Sequence, residues 1–342
     1  MPDLLEARSA AYRLATSKYK VGDTTHTQYS SIYMASTSNV KDTMNLYDNF
    51  DSVLALGGTG AHGFEAALHG AKKIDLFDIN YLQEIFFQFM LPAITYLPYE
   101  DFVRHFTLKE QHTVMDAKDF RNLLSYELWE KLAYFVPEEV EFVLGPVYEM
   151  MYSTDIVFSA LFRFEFTVTL ARLKRVISFY NKEEYEKLQK ILRSESCEIN
   201  YHICSVTDVP KLFKGNKYNL IILDNVLQYY KDIPEINTPY QVNQFIDKKL
   251  SELLTEDGVI QAAYGYEIGS DATKKRLGMP YKTERNASLP AQFAIEKEIK
   301  EGICNQLINK WDHYSYNFID GVEKEEFDGA ENVVITYKKK IR

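Results

Sequence analysis

Ser52-Val53-Leu54-Ala55-Leu56-Gly57-Gly58-Thr59-Gly60-Ala61-His62-Gly63 is the stretch on which the reading of this chain turns. A short apolar run stops at paired glycines, the pattern of a buried parallel strand entering a tight turn. Beyond the turn, Phe64, Ala67, Leu68 and Ala71 recur at the spacing of one helix face, and Gly70 stands where a left-handed cap is expected. Lys72-Lys73 then leads into Ile74-Asp75-Leu76-Phe77-Asp78, a second apolar strand closed by an acid. Residues 52–78 thus predict one strand–helix–strand unit.

Upstream, residues 1–50 read as an N-terminal extension, with a helix over residues 4–19 and a Ser/Thr-rich stretch, residues 30–43, that has no clean period. Downstream, residues 81–106 are aromatic and helical in pattern, with Pro92 and Pro98 expected to break or kink the helix. Residues 107–195 carry helical patterns and no second strand–helix–strand signal, so they read as a helical insertion, since a structureless loop of that length is improbable in a compact domain. Strand patterns return at Ile199, Tyr201 and Ile203, and again from Tyr218 to Leu223. A helix over residues 241–254 precedes a turn at Asp257-Gly258 and a strand to Tyr264, and two more strands are expected near residues 313–319 and 332–337. The expected fold is α/β: a Rossmann-like seven-stranded, mostly parallel sheet with helices on both faces, spanning residues 51–342 and interrupted by the insertion at 107–195.

Gly58, Gly60 and Gly63 form a literal G-x-G-x-x-G between a strand and a helix, with Asp78 about 20 residues beyond the first of them. Glycines at such a turn admit positive φ and let a ligand approach the backbone, while an acid at the next strand tip accepts hydrogen bonds from ribose hydroxyls. Both a nicotinamide dinucleotide and S-adenosylmethionine carry that ribose. The pattern therefore leaves NAD(P)-dependent oxidoreduction and S-adenosylmethionine-dependent transfer both open. Asp75 points to the opposite face from Asp78 by strand alternation.

Asp208 after the third strand, and Asp224-Asn225-Val226-Leu227-Gln228-Tyr229-Tyr230 after the fourth, resemble the corresponding positions of class I S-adenosylmethionine-dependent methyltransferases, as does the pair of strands at the carboxyl end. The resemblance implies a cofactor site built from Gly57, Gly58, Thr59, Gly60, Gly63, Asp78, Ile79, Asp208, Asp224 and Asn225. It implies an enzyme that transfers a group from S-adenosylmethionine, most commonly methyl, to a small-molecule or lipid-like acceptor. Asp78-Ile79-Asn80 with Gln83, followed by Leu97-Pro98-Tyr99-Glu100-Asp101-Phe102, also resembles the aminocarboxypropyl transferases of betaine-lipid synthesis, which move the 3-amino-3-carboxypropyl arm of the same cofactor to diacylglycerol. The Ser-Gly-Gly-Asp loop of that family is replaced here by Gly57-Gly58-Thr59-Gly60.

Other residues carry weaker signals. His62, within the loop, is a candidate acid or base set against an ordinary packing role; Tyr29 and Tyr33 are candidates for a lid; Phe86, Phe87, Phe89 and Met90 suit either an acceptor pocket or core packing. Glu138, Glu139 and Glu141 with His105 and His112 lack metal-ligand spacing, so no metal is expected. Cys197, Cys204 and Cys304 show no C-x-x-C spacing, which fits a reducing compartment.

The net charge of −10 opposes the positive field that phosphate backbones require, so nucleic acid is not an expected substrate. With 46% hydrophobic residues, the chain has ample material for a packed core, yet no apolar run of spanning length and no secretory pattern at the amino end. The expectation is a cytoplasmic protein with no integral membrane segment. The basic residues Lys338, Lys339, Lys340 and Arg342 read as a solvated tail.

Overall fold

A computed structural model describes residues 2–17, 27–36, 38–108, 122–151, 160–163, 169–224, 226–264, 302–303, 311–320 and 331–339. Asn225, His112, Cys304, Lys340 and Arg342 lie outside the described residues.

The quoted stretch folds as its apolar period directs. Strand β2 (Ser52–Leu56) enters the glycine turn, α3 (Ala61–Leu68) leaves it, and β3 (Lys73–Asp78) returns parallel to β2. Val53 and Ala55 pack into one core while Leu54 packs into another. Both faces of β2 are therefore covered, as a continuous apolar run in a parallel strand requires.

Beside these lie β5 (Glu198–Ile203), β6 (Tyr218–Ile222), β7 (Leu254–Tyr264), β8 (Trp311–Asp320) and β9 (Glu331–Lys339), giving a seven-stranded sheet of order β5-β3-β2-β6-β7-β9-β8. The first five run parallel, and β9 inserts antiparallel between β7 and β8. The fold is the Rossmann-like α/β class with a terminal antiparallel pair. The strand order reverses direction between β2 and β6, and open α/β sheets bind ligands at the carboxyl ends of strands beside such a point.

One face carries α3 together with α4 (Tyr81–Tyr96), which packs against β3 and β5 on one side and against α7 (Glu138–Met151) on the other. With layers on both sides, α4 is apolar nearly all round. Phe86 and Phe89 are fully buried, each contributing about 2–3 kcal/mol of transfer free energy. Pro92 sits inside this helix without ending it; the break falls at Leu97, whose extended backbone is the conformation that a following proline imposes. Helix α5 (Tyr99–Phe106) follows.

The stretch 107–195 contributes α6 (Tyr126–Leu132), α7, α8 (Leu170–Val176) and α9 (Lys182–Arg193) to the same layer, which α1 (Leu4–Ala15) joins by packing on α7. The other face is covered by α10 (Val209–Leu212), α11 (Pro239–Lys248) and 3-10 turns around residues 226–236 and 250–253.

Several boundaries differ from the expectations. The Ser/Thr-rich stretch holds β1 (Ile32–Tyr33) and α2 (Val40–Met44), and β1 pairs in parallel with β4 (Phe162–Arg163). A two-residue strand has too few alternations to show a period. The helix expected over residues 241–254 ends at Lys248 and gives way to a 3-10 turn. The turn expected at Asp257-Gly258 is absorbed into β7, where the register against β6 jumps from Tyr218↔Leu254 to Leu220↔Val259. That jump is a bulge, which accommodates extra residues without ending a strand.

Candidate cofactor site

The glycine turn and the tip of β3 meet through the backbone. Gly57 N–H donates to the Phe77 carbonyl at 2.7 Å, which carries the parallel ladder one residue past the strand. The Asp78 carboxylate turns toward the loop, where Oδ2 accepts from Gly58 N–H at 3.0 Å and Oδ1 from Asn80 N–H at 2.9 Å. A carboxylate offers about four lone-pair sites, and besides these two amides Asp78 also meets the Tyr201 hydroxyl. Ile79, the next residue, is 43% exposed, an apolar side chain standing open beside the acid.

The glycines divide by what they face. Gly58 has φ +43 and open space where a side chain would lie, and Thr59 beside it is buried. At Gly57 an added Cβ would fall 2.5 Å from the ring of Tyr201, and at Gly60, with φ +81, it would fall 2.4 Å from Phe87. Gly63 packs on Leu76. Tyr201 from β5 donates to the Gly58 carbonyl at 3.0 Å, and its ring lies 5.1 Å from that of Phe87. Burial and the neighbouring Asp78 and Glu84 push the Tyr201 phenol far up, so it stays a donor. Aromatic side chains thus pack against Gly57 and Gly60, while the Gly58 position is open and Ile79 is exposed.

Across the switch point, Asp224 follows β6 with a left-handed backbone, φ +45, and is buried. Ser38 donates to its carboxylate at 2.8 Å. His62, in the first turn of α3, is buried; its ring donates to the Leu56 carbonyl, and desolvation lowers its pKa against the opposing pull of Asp224 and that carbonyl. A neutral imidazole is therefore held beside a buried carboxylate. Asp208 is exposed at the start of α10 and makes no side-chain cap bond. Asp75 lies on the opposite sheet face, bonded to His202 at 3.0 Å and to Tyr218 at 2.7 Å. These bonds and Lys73 hold its carboxyl low despite its burial.

The Asn and Gln that follow Asp78 bind the amino-terminal segment. Asn80 caps α4 through Leu82 N–H, accepts from Ser30 N–H and donates to the carbonyls of Ser30 and Ser31. Gln83 accepts from Tyr33 N–H at 2.8 Å and donates back to the Tyr33 carbonyl at 3.0 Å. Tyr33 is held by its main chain, while the Tyr29 hydroxyl accepts from Asp3 N–H and its ring meets Tyr81 edge-on. Phe86, Phe87, Phe89 and Met90 all belong to the core, and Phe87 also packs against Gly60 of the loop.

Tyr201 and Ser38 enter the site without having been singled out for it, and Phe87, expected in an acceptor pocket or the core, packs against the glycine loop. The alternation of Ile199, Tyr201 and Ile203 set the face of Tyr201, but nothing local marked its reach across β3. Among the described residues no group of three His, Cys, Asp or Glu side chains could hold a metal, and no helix is long and apolar enough to cross a membrane.

No family model and no curated protein matches the sequence. Among solved structures, methyltransferases match at low similarity. One described as an S-adenosylmethionine-dependent methyltransferase from Streptococcus mutans is 10% identical with a TM-score of 0.31, over 85% of this chain and 45% of that one. The rRNA methyltransferase AviRa from Streptomyces viridochromogenes is 8% identical with a TM-score of 0.36, over 98% and 85%. The N-methyltransferase NodS from Bradyrhizobium japonicum is 9% identical with a TM-score of 0.33, over 88% and 91%. The chain spans less than half the length of the Streptococcus mutans protein that it matches.

Proposed function

We propose that the chain is an S-adenosylmethionine-dependent transferase, with methyl as the transferred group and a small or lipid-like molecule as acceptor. The observation that carries this reading is the Asp78 carboxylate at the tip of β3, bonded to Gly58 N–H where the turn is open at Gly58, with exposed Ile79 beside it. Asp78 would accept from the ribose hydroxyls, Ile79 would cover an adenine face, and Asp208, exposed at the start of α10, would be the acid near the adenine amino group. Asp224 would offer its buried carboxylate to the cofactor's ammonium, which suits a buried charge whose one described donor is a neutral hydroxyl. Bound there, the cofactor supplies a carbon already activated by a sulfonium, so the protein's task is to orient the acceptor rather than to drive strong acid–base chemistry.

The same geometry speaks against a dinucleotide. In the G-x-G-x-x-G fingerprint the second glycine lets the pyrophosphate reach the backbone. Here that position is Gly60, and Phe87 fills the space on its side-chain side.

Incubation with S-adenosylmethionine labelled in the methyl group or, separately, in the methionine chain tests the transfer against an extract of small molecules and lipids. The reading predicts that methyl label enters an acceptor in the wild type and that Asp78→Ala lowers the rate by about tenfold or more, the worth of a charge-assisted bond. Label transferred from the chain instead would assign aminocarboxypropyl transfer. Transfer of neither label, with NAD(P)H oxidised in its place, would overturn the proposal.

A further inference from the structure

A second cleft, of about 720 Å³, lies away from the glycine turn, between α2, the carboxyl half of α3 and the turn that joins α8 to α9. Its charges do not cancel. Lys182 is paired with Glu100 at 2.6 Å and Lys187 with Glu184 at 3.5 Å, whereas Lys41 and Lys174 make no ion pair with a described residue. Glu183 is the remaining exposed carboxylate on the lining.

The first turn of α9 opens onto this cleft. Asn181, at its N-cap, spends its amide on the carbonyls of Lys174 and Ser178 and caps nothing. No described acceptor takes the backbone N–H groups of Lys182, Glu183 and Glu184. Glu65, on the lining, is fully buried; one oxygen accepts from Ser178 N–H and the other, Oε2, has no partner. Unmet helix-start donors beside unpaired lysines form an anion-binding arrangement.

We propose that this cleft binds a compact tetrahedral oxyanion, a phosphate group either free or on a small ester, held by Lys41, Lys174 and the first-turn amides of α9, with the Glu65 carboxyl donating from the floor. Burial pushes the Glu65 carboxyl up to about 7, with Glu184 adding to the rise and Lys41 opposing it. A carboxyl that keeps its proton near neutrality has a donor to offer and no charge to repel the ligand. The neighbouring His69 is stacked on Phe50, and desolvation followed by Lys187 lowers its pKa, so it adds no charge at neutral pH.

Titration calorimetry on the full chain with inorganic phosphate and with glycerol 3-phosphate tests the site. Saturable binding is expected, weakened about tenfold in Lys41→Ala/Lys174→Ala and retained in Glu65→Gln, whose amide keeps a donor. Tighter binding of the ester would assign the phosphate to a small metabolite, and tighter binding of inorganic phosphate to the free ion. Sulfate, whose charge is constant over this range, reports on Glu65: binding should weaken as pH rises through about 7 in the wild type and stay level in Glu65→Gln. If the double variant does not fold, Lys41→Gln alone must weaken phosphate binding. Absence of binding by both phosphates, or equal affinity in folded lysine variants, would overturn the proposal.

Discussion

At the residue scale, the glycine turn separates two requirements that the sequence pattern merges. Gly60 carries both positive φ and a wall of Phe87, so Gly60→Ala should cost about 3 kcal/mol in urea denaturation, from left-handed strain plus overpacking. Gly58→Ala meets no neighbour and should cost about 1 kcal/mol. Equal costs at the two positions would deny that Phe87 closes one side of the loop. The spacing of Asp78 from the glycines was legible because strand, turn and helix lengths are local quantities. Tyr201 and Ser38 were not, and Phe87 was marked only as pocket or core, because each meets its partner through the fold: Ser38 reaches Asp224 from 186 residues away in sequence.

At the scale of elements, helix α4 does more than cover the sheet. Its first turn presents Asn80 and Gln83, and these two side-chain amides hold the backbone of residues 30–33 as a strand partner would. The Asp-x-Asn and Gln pattern was visible in the sequence, but its consequence was hidden, since an amide that reads a distant main chain leaves no period at either end. Gln83→Ala removes two part-buried bonds to the Tyr33 main chain, so it should cost about 2 kcal/mol and speed hydrogen exchange at Tyr33 before the central strands respond. Unchanged exchange there would show that β1 is held by its pairing with β4 alone. The strands of the main sheet were read within a few residues, the helices of 107–195 were expected only as a group, the helix expected to 254 ends at Lys248, and β1, β4 and α2 were missed because two to five residues cannot display periodicity.

Over the whole molecule, the seven strands of the main sheet were legible as apolar runs, the terminal pair as two late ones, whereas their order in the sheet was not. The same core imposes a pH dependence. Glu65 rises from 4.5 to about 7 through burial, as does Glu84, where burial outweighs the opposing His202 and Gln88. A carboxyl whose folded pKa lies above its unfolded value binds more protons in the folded state, so stability falls as pH climbs from about 4.5 to about 7 and levels off above that. Glu65→Gln should flatten this slope and raise stability at pH 8 by up to about 3 kcal/mol. A slope that Glu65→Gln leaves untouched would place the protonation elsewhere.

The proposed function requires the Asp78 carboxylate to hold an adenosyl sugar beside the Gly58 turn. Calorimetric titration of the wild type and Asp78→Ala with S-adenosylhomocysteine, and in parallel with NADH, measures this directly. The account predicts a saturable heat with S-adenosylhomocysteine in the wild type, weakened about tenfold or more in the variant, and none with NADH. Binding of NADH, or S-adenosylhomocysteine affinity indifferent to Asp78, would contradict it.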